Sequence, residues 1–408
     1  MSTSVSAESR PMPLWAIILA CASVAGIAMG LRQVLGLYLK PVTSELGIGR
    51  ETFGLAMAIA NITWGIAAPF AGAVSDKVGS GRVVVFGALA TAAGLYVMYI
   101  ATTDIHLYLS GLLMGLGVAG SGVNALVGAV GRMAPPQQRA AAIARLGMGS
   151  GIGVFLALPY THLLMEHFGW HTSLLILSFT ALLILPLAWP ISGAPAQVAS
   201  ATKPQTLKEA LAEAFAHPSF WLLNAGFFVC GFHVVFYGIH LPAYVADKGF
   251  DPSVAVTSLT LVGVFNLIGT YLAGIWGKHL PKRYGLSLIY AGRAVVFLCF
   301  LYLPITPTTV IVLSAALGLL WLSTVPLTSS LVATFYGPVW MTMLYGIVFF
   351  SHQVGSFLGV WMAGLLFDMT KSYDAMWWIS VGLGVFAAIV HWPIRERPVP
   401  RLAAASAA

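Results

Sequence analysis

Apolar residues run along this chain in long, almost uncharged blocks, separated by short polar segments. Twelve such blocks stand near residues 14–39, 52–74, 83–101, 107–131, 140–163, 172–191, 218–245, 254–276, 287–303, 309–335, 340–367 and 374–394. They are numbered here as spans 1 to 12. Each approaches the about 20 apolar residues that a bilayer-crossing helix requires. None shows the alternation over about 10 residues that marks an outer-membrane strand. The pattern therefore predicts an all-α polytopic membrane protein with 12 transmembrane helices. The longest polar interruption, Ser192–His217, opens with the linker-like run Ser-Gly-Ala-Pro-Ala. It divides the chain into a six-helix bundle over 1–191, a linker over 192–217, and a second bundle with a short tail over 218–408. Within the linker, Thr206-Leu-Lys-Glu209 reads as a capping box that opens a short amphipathic helix, with Leu207, Leu211 and Phe215 on one face. Such a helix would lie at the membrane surface between the two halves.

Composition fixes the solvent. Of 408 residues, 59% are hydrophobic and 8% charged, against roughly 25% charged in a soluble domain. The net charge of +7 sits mostly in alternate loops: Arg10, Lys77, Arg82, Arg132, Arg139, Lys203, Lys208, Lys278, Lys282, Arg283, Arg395, Arg397 and Arg401 on one side, against Lys40, Arg50, Lys248 and Lys371 on the other. The positive-inside rule then places both termini in the cytoplasm. It also accounts for the basic balance without nucleic acid. The first block, Leu14–Leu39, is too long for a signal-peptide core and is read as a retained helix in a bacterial inner membrane. Cys21, Cys230 and Cys299 lie inside separate blocks and imply neither a disulfide frame nor a metal site.

Between spans 2 and 3 lies Gly72-Ala-Val-Ser-Asp76-Lys77-Val-Gly79-Ser-Gly-Arg82, a polar turn pinned between two apolar runs. After span 8 comes Gly274-Ile-Trp-Gly-Lys278 with Pro281-Lys-Arg283, an echo in which Lys278 stands where Asp76 would be. Gly111-Leu-Leu in span 4 is answered by Gly318-Leu-Leu in span 10, and spans 5 and 11 are both glycine-rich. Two similar halves with a site between them suit a transporter that tilts one half against the other. The first turn resembles the loop between helices 2 and 3 of major facilitator superfamily transporters. It differs in having Lys77 where Arg is common and Ser80-Gly81 before the last basic residue. The resemblance implies the two-bundle fold of that superfamily and a gating role for Gly72, Asp76, Lys77, Gly79 and Arg82. Asp76 would then make a charge-assisted contact near the N-terminus of span 11 and lock one state.

Polar groups inside the apolar blocks are few. All thirteen Asp and Glu residues fall in loops or at helix ends. Any proton coupling would therefore fall to histidine, which changes charge in the physiological range; His233 and His352, near the middle of spans 7 and 11, are the candidates. Three cations interrupt blocks. Arg32 in span 1 would cost about 2.5–3.5 kcal/mol facing lipid, so it is expected to face a cavity. Arg145 and Arg293 are expected to be structural. Asn61 and Trp64 in span 2, Asn124 in span 4, Tyr237 one turn after His233, Asn266 in span 8, and Trp321 with Thr324 in span 10 complete the set. From these, Arg32, Asn124, His233, Tyr237, Asn266, Trp321, Thr324 and His352 are the candidate substrate contacts. An arginine with hydrogen-bond donors and an aromatic wall suits a small organic anion with an apolar body.

Several patches also resemble bacterial relatives of the monocarboxylate transporters: Arg32-Gln33 with Gly36-Leu-Tyr-Leu-Lys-Pro41, Gly231-Phe-His233 with His240-Leu-Pro-Ala, and Ser351-His352-Gln353 with Gly355-Ser-Phe-Leu-Gly359. That likeness implies proton-linked or exchange transport of small carboxylates. In such carriers span 8 supplies an arginine four residues before the glycine that opens the next loop. Here that place is Thr270, and Asn266 stands where Asp is frequent, so Arg32 must supply the positive charge if the solute is acidic. The leading expectation is secondary active transport of a small organic anion by a monomer, by alternating access and with no cofactor. Efflux of a drug or metabolite through the same fold is the near alternative. A non-transporting receptor or membrane enzyme is the distant one. No metal-ligand cluster or nucleophile elbow appears, and no Gly-x4-Gly-Lys-Ser/Thr loop for ATP.

Overall fold

The computed structural model describes residues 13–135, 138–191, 205–337 and 340–402. Among them the chain is helical throughout, with eleven helical stretches apolar and long enough to cross a bilayer. One of these, Ala141–Leu187, has 47 residues. At about 1.5 Å per residue that is roughly twice the thickness of the hydrocarbon core. It turns back at Gly169, whose φ of 75° interrupts the helix Arg139–Leu182. The turn makes this stretch spans 5 and 6 and gives twelve crossings.

Several spans are not single rods. Span 1 runs as Leu14–Gln33, tightens into a 3-10 turn over Val34–Tyr38, and continues as Leu39–Leu46, farther than its apolar block suggested. Span 4 breaks at Gly122 between Asp104–Ser121 and Val123–Met133. Span 10 breaks between Pro307–Leu320 and Thr324–Tyr336. The second break has a local cause. Pro326 lacks the N–H that would bond the Leu322 carbonyl and its ring crowds that carbonyl. The remaining spans are Arg50–Val78, Ser80–Tyr99, Pro218–Asp247, Pro252–His279, Lys282–Tyr302, Met341–Thr370 and Asp374–His391.

Large apolar side chains such as Phe70, Ile105, Phe179, Tyr271 and Tyr302 cover the outside. That surface fits lipid, not water. Each half packs on itself. Across the halves, span 2 lies against span 11, span 5 against span 8, and span 7 against the 3-10 turn of span 1. The linker helix Leu207–Phe215 has the full capping box: the Glu209 amide donates to Thr206 Oγ1 at 3.3 Å and the Thr206 amide to Glu209 Oε2 at 2.9 Å. Its Ala210 and Ala214 are buried, while Leu207 and Phe215 are exposed. The face of the molecule bearing this helix is called the linker face below; the other is the far face.

The halves meet at the far face and part toward the linker face. A Cβ added at Gly54 would lie 2.7 Å from the Val360 carbonyl, and one at Gly65 would lie 2.8 Å from Gln353. One turn or two nearer the linker face, Gly72 and Gly346 have nothing within 4 Å. The second pair behaves alike: Gly151 abuts Leu267 at 2.7 Å, whereas Gly147 and Gly274 face open space. The molecule is a V, open at the linker face.

Candidate functional site

Arg32 stands at the apex of the V. Its Nη2 donates to Asn61 Oδ1 of span 2 at 2.5 Å, and its guanidinium lies 5.1 Å from the centre of the Trp64 ring. Small voids of about 20 Å³ each flank it, each on the order of one water molecule. One is walled by Met57, Asn61, Trp64, Met114 and Ile239, the other by Val234, Val235 and Gly238 of span 7. Arg32 thus faces the other half and not lipid. Its charge is met by an amide oxygen and an aromatic face, with no carboxylate among its described contacts.

A polar chain crosses the halves beside it. The Asn61 carbonyl accepts from Gln353 Nε2 at 3.1 Å, and Gln353 Oε1 meets His352 Nδ1 at 3.0 Å. The His352 ring stacks on Phe349, which meets Trp64 edge-on at 5.1 Å. Arg32 and His352 are thereby brought to one interface through Asn61 and Gln353. The role of Gln353 was not legible in the sequence, where it appears only as a neighbour of His352.

The other candidates fall into two groups. Asn266, Trp321 and Thr324 gather at the break in span 10. Asn266 Oδ1 accepts from the Leu322 amide at 2.9 Å, while Arg293 donates to the free carbonyls of Leu320 and Trp321. Thr324 Oγ1 lies 3.3 Å from Cys230 Sγ. Arg293 is fully buried, and its structural role is as expected. His233 and Tyr237 turn into the C-terminal half. The His233 Nε2 donates to the Ser380 carbonyl of span 12 at 2.9 Å, and Tyr237 bonds Ser314 of span 10 at 2.7 Å. Among the described residues neither bonds to Arg32. The side chains of Asn124 and Asp76 lie outside the described residues.

In the span 2–span 3 turn, Gly79 has φ 93°, a conformation that favours glycine. Lys77 and Arg82 are exposed, and the Ser75 and Ser80 hydroxyls bond across the turn at 2.7 Å.

The far face is closed by a cluster that the sequence reading did not assemble. The Asp368 carboxylate of span 11 accepts from the backbone amides of Arg50 and Glu51 at 3.1 and 2.8 Å, capping the start of span 2 across the halves. The Arg50 guanidinium grips Asp247 of span 7 at 2.6 Å, donates to Tyr373 Oη at 2.9 Å, and lies 3.7 Å from the Phe367 ring centre. Lys40 adds a contact to Asp247 at 3.1 Å. His240 backs the cluster. The Val360 carbonyl fixes its Nε2 as the donor, at 3.0 Å, which leaves Nδ1 to accept from the Tyr373 hydroxyl.

Comparison with known proteins agrees with this geometry. The profile of the Major Facilitator Superfamily matches residues 18–360. Monocarboxylate transporter 13 of Bos taurus is 26% identical over 399 residues, spanning 93% of this chain and 89% of that protein. The uncharacterized MFS-type transporter YcxA of Bacillus subtilis (strain 168) is 24% identical over 415 residues, spanning 96% and 98%. Among solved structures, a bacterial homolog to the human lysosomal transporter Spinster, inward-facing and unoccupied, superposes with a TM-score of 0.73 at 16% identity, covering 93% of this chain and 96% of that one. That last likeness concerns the fold alone.

Proposed function

This chain belongs to the Major Facilitator Superfamily and is a membrane transporter, not an enzyme; from that premise we propose that it moves a small organic anion, a monocarboxylate in the first instance, by alternating access. The observation that carries this reading is Arg32 at the apex of the V, facing the opposite half with an amide and an aromatic ring as its described partners. A guanidinium in that setting is a ready partner for one carboxylate, and the apolar walls around it suit a short hydrocarbon body. The relatives named monocarboxylate transporters point to the same solute class.

In this reading the basic linker face is cytoplasmic, in a bacterial inner membrane, so the V is an inward-open state. The Arg50–Asp247–Asp368 cluster is the closed outer gate. The Gly72, Asp76, Lys77, Gly79 and Arg82 turn acts when the inner side closes. His352, at the interface, carries the proton if transport is proton-linked; His233, bonded within one half, serves the packing of that half.

The test is uptake of a short monocarboxylate into proteoliposomes. Arg32→Ala should lower it by at least about tenfold, the worth of a charge-assisted hydrogen bond. Wild-type rates in that variant would remove the anion site. The mostly apolar wall of Met57, Met114, Val118 and Ile239 favours a second reading, export of a more apolar solute. There the Arg32 variant would still load such a solute into inverted vesicles, whose lumen corresponds to the outside of the cell.

A further inference from the structure

A second site lies away from the apex, on the linker face of the C-terminal half. An open recess of about 590 Å³ is bordered by the turn from span 8 to span 9 and by the segment that follows span 12. Its wall holds Lys278, Lys282, Arg283, Arg395 and Arg397, with Glu396 as the one carboxylate. Lys278, Arg395 and Arg397 are exposed, while the backbone and neighbours that carry them are fixed. The Arg283 amide donates to Glu396 Oε1 at 2.8 Å, and Arg283 Nη1 donates to the Ile394 carbonyl at 3.1 Å. Lys282 stands 3.8 Å from Glu396 Oε2. The Arg395 amide is tied to Ser219 Oγ at 3.1 Å, which fixes the tail across the ends of spans 7 and 9.

Glu396 is thus already engaged by Lys282 and Arg283. Lys278, Arg395 and Arg397 have no carboxylate partner among the described residues, yet they converge on one cavity. Like charges gathered on one cavity repel one another until an anion enters, although physiological salt screens that repulsion over about 8 Å. With five cations and one carboxylate the wall carries four net positive charges, more than a single phosphate answers.

The surroundings say where that anion comes from. The Tyr284 and Trp392 rings meet at 4.7 Å, and Trp276 Nε1 donates to the Pro281 carbonyl at 3.0 Å. Aromatic groups with a polar edge of this kind mark the headgroup level of a bilayer. The helices framing the cavity present Ile275, Leu288 and Ile389 to the outside, an apolar surface beneath a basic recess. Basic recesses between helix ends at this depth suit acidic lipid headgroups.

We propose that this cavity binds the headgroup of an acidic phospholipid carrying two phosphodiesters, its acyl chains lying along spans 8, 9 and 12. Lys278, Arg395 and Arg397 hold the phosphates, while Glu396 orders Lys282 and Arg283 around them.

The test uses the purified full chain in detergent, followed by native mass spectrometry and thermal unfolding. Diphosphatidylglycerol should leave one tightly held lipid and raise the unfolding temperature by at least about 2 °C; phosphatidylcholine should do neither. The triple variant Lys278→Gln/Arg395→Gln/Arg397→Gln should keep the unliganded unfolding temperature and lose both effects. Lys208→Gln, exposed on the same face but outside the cavity, should keep them. Lipid retention by the triple variant, or equal loss in Lys208→Gln, would overturn the site. Equal stabilisation by pyrophosphate would overturn the lipid as its occupant.

Discussion

A single amide organises the apex. Asn61 accepts from Arg32 through its side chain and from Gln353 through its backbone, while its own Nδ2 donates to the Met57 carbonyl at 2.7 Å. Asn61→Leu keeps the volume but removes the acceptor that aims the guanidinium. Loss of a hydrogen bond to a charged group is worth about 1.5–3 kcal/mol, so KM for a carboxylate should rise about tenfold, and the unfolding temperature should fall as well because the guanidinium loses its acceptor. An unaltered KM would show that Asn61 does not position Arg32. Arg32 was legible in the sequence because a cation in an apolar block must find a polar partner. Its partner, 29 residues away on another helix, was not. The orientation of His233 and Tyr237 was equally hidden. They share a face, but span 7 is apolar all round and buried on most sides, so periodicity cannot tell the face toward the apex from the face toward span 12.

At the level of the helix, the break in span 10 shows how a polar core group replaces a lost ladder. The break at Pro326 leaves the Leu320 and Trp321 carbonyls and the Leu322 amide outside the helical ladder. Arg293 takes the Leu320 and Trp321 carbonyls, and Asn266 takes the Leu322 amide. Arg293→Met should cost about 2–5 kcal/mol, since it leaves buried carbonyls without donors. Asn266→Leu should cost about 1–3 kcal/mol. Because both act on one break, the double variant should cost less than their sum, as chemical unfolding in detergent would measure. Additive losses would mean that the two side chains act independently. The sequence displayed Pro326, yet a proline alone does not say whether a membrane helix kinks or parts; that depends on Arg293 and Asn266 arriving from spans 9 and 8. The linker helix was more legible, because a capping box is local. The Thr206 amide and hydroxyl hold the Glu209 carboxyl below its ordinary range. Its stabilisation is therefore intact above the ordinary glutamate value of about 4.3 and fades as pH falls through the lower folded value. Protection factors over Leu207–Phe215, that is, amide exchange relative to the intrinsic rate at each pH, should fall from pH 5 to pH 3, and Glu209→Gln should flatten that dependence.

Across the whole molecule, stability of the V rests on what joins the halves at the far face. Asp368 there caps the start of span 2, and Arg50 in turn grips Asp247. In the proposed cycle the turn between spans 2 and 3 is its counterpart on the linker face, where Gly72 and Gly346 face open space. A transporter of two states needs each closed end to be weak enough to part. Asp368 is suited to this, because its contacts are to helix-end amides that water can replace once the face opens. Asp368→Asn removes the charge and keeps the shape. Hydrogen bonds to a carboxylate exceed neutral ones by about 1 kcal/mol each, so the balance of states should shift by about tenfold or more toward closure of the linker face. Spin labels at Gly72→Cys and Gly346→Cys, on a chain with Cys21, Cys230 and Cys299 replaced, read that shift as a shorter distance between spans 2 and 11. Arg50→Gln should move the distribution the same way, because it breaks the neighbouring tie. An unchanged distribution in both variants would mean that the far-face cluster is packing alone, and that the open V is held by contacts nearer its apex.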